Sequence, residues 1–190
     1  MDFALTPEQA MIRDSARKLA EAELAPRAAR ADREGLFPLE QMKALADAGF
    51  LAMLVPQAHG GTEAGAVAYS LAMTEMARAC ASTSVTMAVT NMVADAISAW
   101  GNDAQRAAWI PRLASGELVC GSFALSEPAS GSDAASLKTT AERKGDVYVL
   151  RGSKCWITSG DRAGVVLVMA KTDVSAGPRL HSFFLVEPSM

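Results

Sequence analysis

The chain has 190 residues, half of them apolar and 21% charged, with a net charge of −3 from 18 basic and 21 acidic residues. That composition suits one large folded unit or two small ones with a sizeable core, and excludes wholesale disorder. It also lacks the basic excess that marks a nucleic-acid binder.

Met1 to Pro7 shows no basic region leading into an apolar core, so no secretory leader is expected. Thr6-Pro7-Glu8-Gln9 reads as a helix start, with Thr6 as N-cap, Pro7 at the first helical position and Gln9 completing a capping box. Ile12, Ala16, Leu19 and Ala20 continue it at helical spacing. Leu39, Met42 and Ala46 repeat the pattern, with Gly49 as its C-cap. Pro56 to Gly61 reads as a loop. A third helix is expected from near Ala64 to Ala79. A fourth carries Val85, Val89, Met92, Val93, Ala96 and Trp100 on one face, read first as a core stripe. Asn91 and Asp95 break that segment, and the longest wholly apolar stretch, Ala163 to Ala170, is far too short to span a bilayer. Asn102 with Gln105 caps a fifth helix, which Pro111 should end or kink.

After Gly116 the texture changes. Leu118 to Leu125 is a short apolar run. Lys138 to Arg143, Gly145-Asp146 and Val147 to Leu150 read as a hairpin. Val165 to Met169 and Ser182 to Val186 read as two more strands, with a Ser-Ala-Gly-Pro turn between them. Helices followed by strands make an α+β fold of two segregated units. The expectation is an all-helical domain over 1–117 and a small antiparallel β-barrel-like domain over 118–190.

Three widely spaced cysteines, Cys80, Cys120 and Cys155, and two histidines, His59 and His181, supply neither a disulfide framework nor a metal-ligand set. No metal site is expected, and the cysteine usage suits a reducing, cytoplasmic setting. Each histidine reads as a loop or strand-edge residue rather than a base. There is no GxGxxG, and the GxxxxG spacing at Gly116–Gly121 is followed by Ser122 where a P-loop requires lysine. There is no GxSxG elbow either. Two segments stand out. Phe123-Ala124-Leu125-Ser126-Glu127-Pro128-Ala129-Ser130-Gly131-Ser132-Asp133 runs from an apolar strand into a loop rich in hydroxyls and backbone donors. It suits polar or anionic ligand atoms, and equally a plain capped turn. Gly152-Ser153-Lys154-Cys155-Trp156-Ile157-Thr158-Ser159-Gly160 offers an indole for stacking and hydroxyls for a ring edge, or else a core tryptophan in a strand-ending turn.

Together and in this order, the two segments resemble the paired motifs of the acyl-CoA dehydrogenase family. The first matches aromatic-x-Leu/Val-Thr/Ser-Glu-Pro-x-Ala-Gly-Ser-Asp, with Ser130 where alanine is common; the second matches Gly-x-Lys-x-Trp-Ile-Thr-Asn/Ser-Gly. Phe3 to Gln9 and Phe50 to Gly61 resemble the family's opening helix and its Val-Pro…Gly-Gly segment, so the resemblance covers essentially the whole chain.

The resemblance implies an N-terminal helical domain, a central β-domain and a C-terminal helical bundle, of which this chain carries the first and most of the second. It implies FAD as cofactor and oxidation of an acyl-CoA thioester to the trans-2-enoyl-CoA, a base removing the α-proton while the β-hydrogen leaves as hydride. By motif position, Phe123, Leu125, Ser126, Gly131, Ser132, Trp156, Ile157 and Thr158 are implied cofactor contacts. Ser132, Val89 and Met92 are implied substrate contacts. The family's usual base is a glutamate of the C-terminal domain. No residue here corresponds to it, so no catalytic residue is assigned and the chain alone is expected to be inactive. Electron-transferring flavoprotein as partner, a homo-oligomer and a C-terminal helical domain supplied elsewhere are further implications. Two other readings stay open: a non-catalytic partner subunit that binds flavin or acyl-CoA, and a fragment lacking the base.

Overall fold

The computed structural model describes residues 3–172 and 180–190. The Ser-Ala-Gly-Pro turn expected before the last strand lies outside the described residues. The chain divides into two compact units after Cys120.

The helical unit opens with α1 (Pro7–Leu19), whose N-terminus carries the expected capping box: Thr6 Oγ1 accepts from the Gln9 N–H, and the Gln9 side chain accepts from the Thr6 N–H. A π-helical turn, Ala20–Leu24, joins it to α2 (Ala25–Glu34), which ends at Gly35 in the left-handed region. Then come α3 (Leu39–Asp47), α4 (Gly65–Ala79), α5 (Ala81–Trp100) and α6 (Asp103–Ala114). The expected Asn102–Gln105 box caps α6. The core is built from Ala16, Ala20, Leu24, Met42, Leu45, Met53, Met76, Met87, Val93, Ile97, Ile110 and Leu113, all nearly inaccessible.

Two sequence expectations are corrected here. Pro111 neither ends nor visibly interrupts α6, which runs on to Ala114. Proline there removes only its own N–H from the ladder, and its carbonyl still accepts from the Ser115 N–H at 2.9 Å. The apolar stripe of α5 is not the buried face. Val85, Met92 and Trp100 are exposed, Val89 is half-buried, and only Val93 of that set belongs to the core. The buried face instead carries Thr83, Ser84, Thr86, Met87, Thr90, Asn91, Ala94 and Ile97. Two of its threonines spend their hydroxyl protons on their own helix: Thr86 Oγ1 donates to the Ser82 carbonyl at 3.2 Å and Thr90 Oγ1 to the Thr86 carbonyl at 2.8 Å, while Thr83 Oγ1 donates to Cys80 Sγ at 3.2 Å. A hydroxyl satisfied within its own helix is inexpensive to bury.

Among the described residues the second unit is one five-stranded sheet: β1 (Gly121–Ala124), β2 (Thr140–Lys144), β3 (Val147–Arg151), β4 (Val165–Lys171) and β5 (His181–Val186). The predicted hairpin is present as β2–β3, with Lys144 opposite Val147. The expected antiparallel sheet is corrected to a mixed one. β2–β3 and β4–β5 are antiparallel, but β1 runs parallel to β4 from Gly121↔Val165 to Ala124↔Val168, and β2 meets β4 in parallel at Thr140↔Lys171. β1 and β2 thus follow one another along one edge of β4 while β5 takes the other. The 40 residues between β1 and β4 allow the long return that a parallel pair needs. Segments 125–139 and 152–164 leave the sheet between strands; they hold the first motif segment from Leu125 onward and the whole of the second.

Candidate flavin site

The first motif segment leaves β1 and turns sharply at Glu127-Pro128-Ala129-Ser130. The Glu127 N–H donates to the Ser130 carbonyl at 2.7 Å and the Ser130 N–H returns to the Glu127 carbonyl at 3.1 Å. Ser130, the departure from the family pattern, donates its hydroxyl to the Asp133 carbonyl at 2.6 Å, which ties it to the residue before the next turn, Ala134–Ser136. Gly131 and Ser132 sit exposed between these turns, and a Cβ built on Gly131 would meet nothing within 4 Å.

The second segment is held by three bonds to the first and one to Ser122 of β1. The Cys155 N–H donates to the Ser126 carbonyl at 3.0 Å, Lys154 Nζ to the Leu125 carbonyl at 2.9 Å and to Glu127 Oε1 at 2.9 Å, and Ser122 Oγ to the Thr158 carbonyl at 2.6 Å. Leu125, Ser126, Trp156 and Thr158 therefore belong to adjoining stretches of backbone. No hydrogen bond among the described residues joins Gly131 or Ser132 to 154–158. Val89 and Met92 lie in the other unit, on the exposed or half-exposed side of α5. Phe123 is half-buried and its ring packs on Phe183 at 5.7 Å between centroids. Ile157 and Thr158 are half-buried.

Trp156 is the outlier. It is 93% exposed, with φ at +58°. It is not in a strand end, as the sequence suggested, because β3 stops at Arg151. A bulky residue in the left-handed region is strained, and such strain concentrates at functional positions.

Glu127 is the electrostatic centre. Its side chain is buried and accepts from the Lys138 N–H at 2.6 Å, the Thr139 N–H at 2.9 Å, the Thr139 hydroxyl, and Lys154. Burial pushes its carboxyl upward, but the Thr139, Lys138 and Lys154 donors outweigh that and hold it at about 2. Lys138, Thr139 and Lys154 were missed as functional residues. One signal was available for Lys154: a lysine and a glutamate, one in each of two segments that already seemed to share a ligand. Nothing in the sequence marks Lys138, since only its backbone takes part. A Cβ on Gly152 would collide with the Thr139 side chain, which ties the first residue of the second motif to the same network.

The donor set fits a flavin. An exposed indole offers a flat apolar face, residues with hydroxyls stand part-exposed beside it, and the space over Gly131 is open. No group of three or more His, Cys, Asp or Glu that could hold a metal occurs among the described residues. Both histidines are half-buried rather than exposed: His59 Nδ1 lies 3.3 Å from Ser98 Oγ, and His181 opens β5.

Comparison with known proteins matches residues 6–117 to the acyl-CoA dehydrogenase N-terminal domain and residues 122–190 to the acyl-CoA dehydrogenase middle domain. The chain belongs to the acyl-CoA dehydrogenase family. Short-chain specific acyl-CoA dehydrogenase, mitochondrial, of Mus musculus is 45% identical over 177 residues, 93% of this chain and 43% of that protein. Acryloyl-CoA reductase (NADH) of Anaerotignum propionicum is 38% identical over 189 residues, 98% of this chain and 48% of that protein. Butyryl-CoA dehydrogenase from Megasphaera elsdenii superposes with a TM-score of 0.91 at 32% identity, covering 99% of this chain and 50% of that one. The chain spans about half the length of the relatives it matches. Within the acyl-CoA dehydrogenase family, helices followed by a sheet is the arrangement found here.

Proposed function

We propose that this chain supplies the flavin-facing part of an FAD-dependent acyl-CoA dehydrogenase, which oxidises an acyl-CoA thioester to the trans-2-enoyl-CoA. One observation carries the reading: three hydrogen bonds between the two motif segments, and a fourth from Ser122 of β1, hold them side by side, next to an exposed indole on strained backbone. FAD, when bound, takes up the β-hydrogen as hydride. The chain's own part is to orient and to exclude water. Trp156 stacks on the ring system. Ser126 and Thr158 offer hydroxyls and backbone to its edge, with Phe123, Leu125 and Ile157 supporting them from the sheet side. Gly131 and Ser132 stand near the cofactor and substrate, and Val89 and Met92 of α5 contact the acyl chain. Such alignment of reacting groups is worth several kcal/mol of barrier.

No base is assigned within the chain. Glu127 is committed to four donors and holds its proton only near pH 2, which makes it a poor acceptor at neutral pH. Glu75 is held below the usual carboxylate range by Arg17, which bonds both its oxygens at 2.9 and 3.1 Å. An electron-transferring flavoprotein, a homo-oligomer and a cytoplasmic compartment belong to the same proposal. The three free cysteines suit a reducing setting, and no helix among the described residues is long and apolar enough to cross a membrane.

The test is FAD titration of the chain followed by amide and indole NMR signals. Leu125, Ser126, Trp156 and Thr158 should shift together while β5 signals hold. Shifts confined to other residues, or none at saturating FAD, would sink the proposal.

A further inference from the structure

Removing one side chain from the network around Glu127 has a predictable and unequal effect. Three of the carboxylate's four donors, the two N–H groups of Lys138 and Thr139 and the Thr139 hydroxyl, come from the strand-entry side, 11 or 12 residues further along the chain. They fasten the first motif segment to the start of β2. Only Lys154 reaches from the second motif segment, and it does so with two bonds, to the carboxylate and to the Leu125 carbonyl. Its side chain is only 11% exposed, so these are buried, charge-assisted bonds. Without Lys154, Glu127 keeps three donors and stays satisfied, while the second segment loses its two ammonium bonds and keeps the Cys155 N–H and Ser122 hydroxyl contacts.

We propose that Lys154 is a positioning residue: its ammonium sets the separation and tilt of the Trp156-bearing segment against Leu125 and Ser126. Its ammonium is bonded to the Leu125 carbonyl and the Glu127 carboxylate. It acts by holding the Leu125 carbonyl and the Glu127 carboxylate together, which fixes the backbone on which Trp156 and Thr158 are displayed. The role in cofactor binding rests on the flavin reading above; the role in placing the two segments does not.

The experiment compares the wild-type chain with Lys154→Met, which keeps the stem and removes the donors, and Lys154→Arg, which keeps charge and donors. Hydrogen exchange is read at the Cys155 amide, bonded to the Ser126 carbonyl, with the Leu167 and Val168 amides of the β4 ladder as reference. In Lys154→Met the Cys155 amide should exchange roughly 10- to 100-fold faster, the range for losing a charge-assisted bond, while the β4 amides stay protected. Lys154→Arg should retain most of the protection. FAD should then shift Trp156 and Ser126 signals less in Lys154→Met than in wild type. Unchanged Cys155 exchange in Lys154→Met overturns the proposal. So does Lys154→Arg behaving like Lys154→Met, because charge and donors at that position would then not suffice to hold the two segments together. Faster exchange in a chain whose wild type ignores FAD supports the clamp and defeats the flavin reading instead.

Discussion

Trp156 combines two costs that folding alone does not explain. Its indole is left in water and its backbone sits at φ +58°, a conformation worth roughly 1–2 kcal/mol of strain for a residue with a side chain. Glycine adopts that conformation without penalty, although it also gains entropy in the unfolded chain. Trp156→Gly should therefore unfold at or near the wild-type temperature while losing at least about tenfold in FAD affinity through the missing stacking face. Thermal melts and flavin titration read the two effects separately. A large drop in melting temperature would place the indole in the packing of the β-unit and take away the strain argument.

The helix α5 shows why an element can be recognised while its buried face is misread. That a helix carries Val85 to Trp100 follows from apolar spacing. Hydrophobicity points to Val85, Val89, Met92 and Trp100 as the inner face, yet small hydroxyl residues and Asn91 share the buried face with Met87, Val93, Ala94 and Ile97. The decisive chemistry is local satisfaction of threonine hydroxyls and one amide, which no hydrophobic pattern records. Asn91 donates to the Phe50 and Met87 carbonyls, both at 3.0 Å, and accepts from the Met53 N–H at 2.7 Å, so it holds the 50–53 turn against the helix. Asn91→Ala should cost about 2–4 kcal/mol in denaturant unfolding, because backbone groups of that turn lose their partners in a dry interior. The sheet was legible in the same partial way. The Gly145-Asp146 turn marks the β2–β3 hairpin; the near-continuous apolar run of β4 suits a parallel strand but does not say which strand pairs with it. At the candidate site the two motifs were readable by type and order. The bonds that join them were not, because two of the three donors from the β2 side are backbone or act through backbone position.

At the scale of the molecule, each unit carries its own buried carboxylate, and each responds to acid. Glu127 has a folded pKa near 2 against about 4.3 unfolded. Its contribution to the β-unit is complete above the unfolded value and is lost as pH falls through the folded one. The β-unit should thus lose stability progressively from about pH 5 down to about pH 2. Glu75, also lowered by its arginines, acts in the same direction in the helical unit. Unfolding followed through β4 and α5 NMR signals at a series of pH values separates the units. Glu127→Gln should lower the β-unit's stability at neutral pH and flatten its acid decline; an unchanged decline would assign that decline to other groups. The same clamp also constrains how the sequence can drift. Position 138 contributes only an N–H, and its side chain is exposed, so descendants are free to vary it. Positions 127, 139 and 154 contribute side chains to one knot, and Gly152 leaves no room beside it. A lineage that altered Lys154 would inherit a loosened pair of loops at once, whereas one that altered Lys138 would inherit nothing. Substitution across 127–154 is thus a matter of a few coupled positions set among many permissive ones.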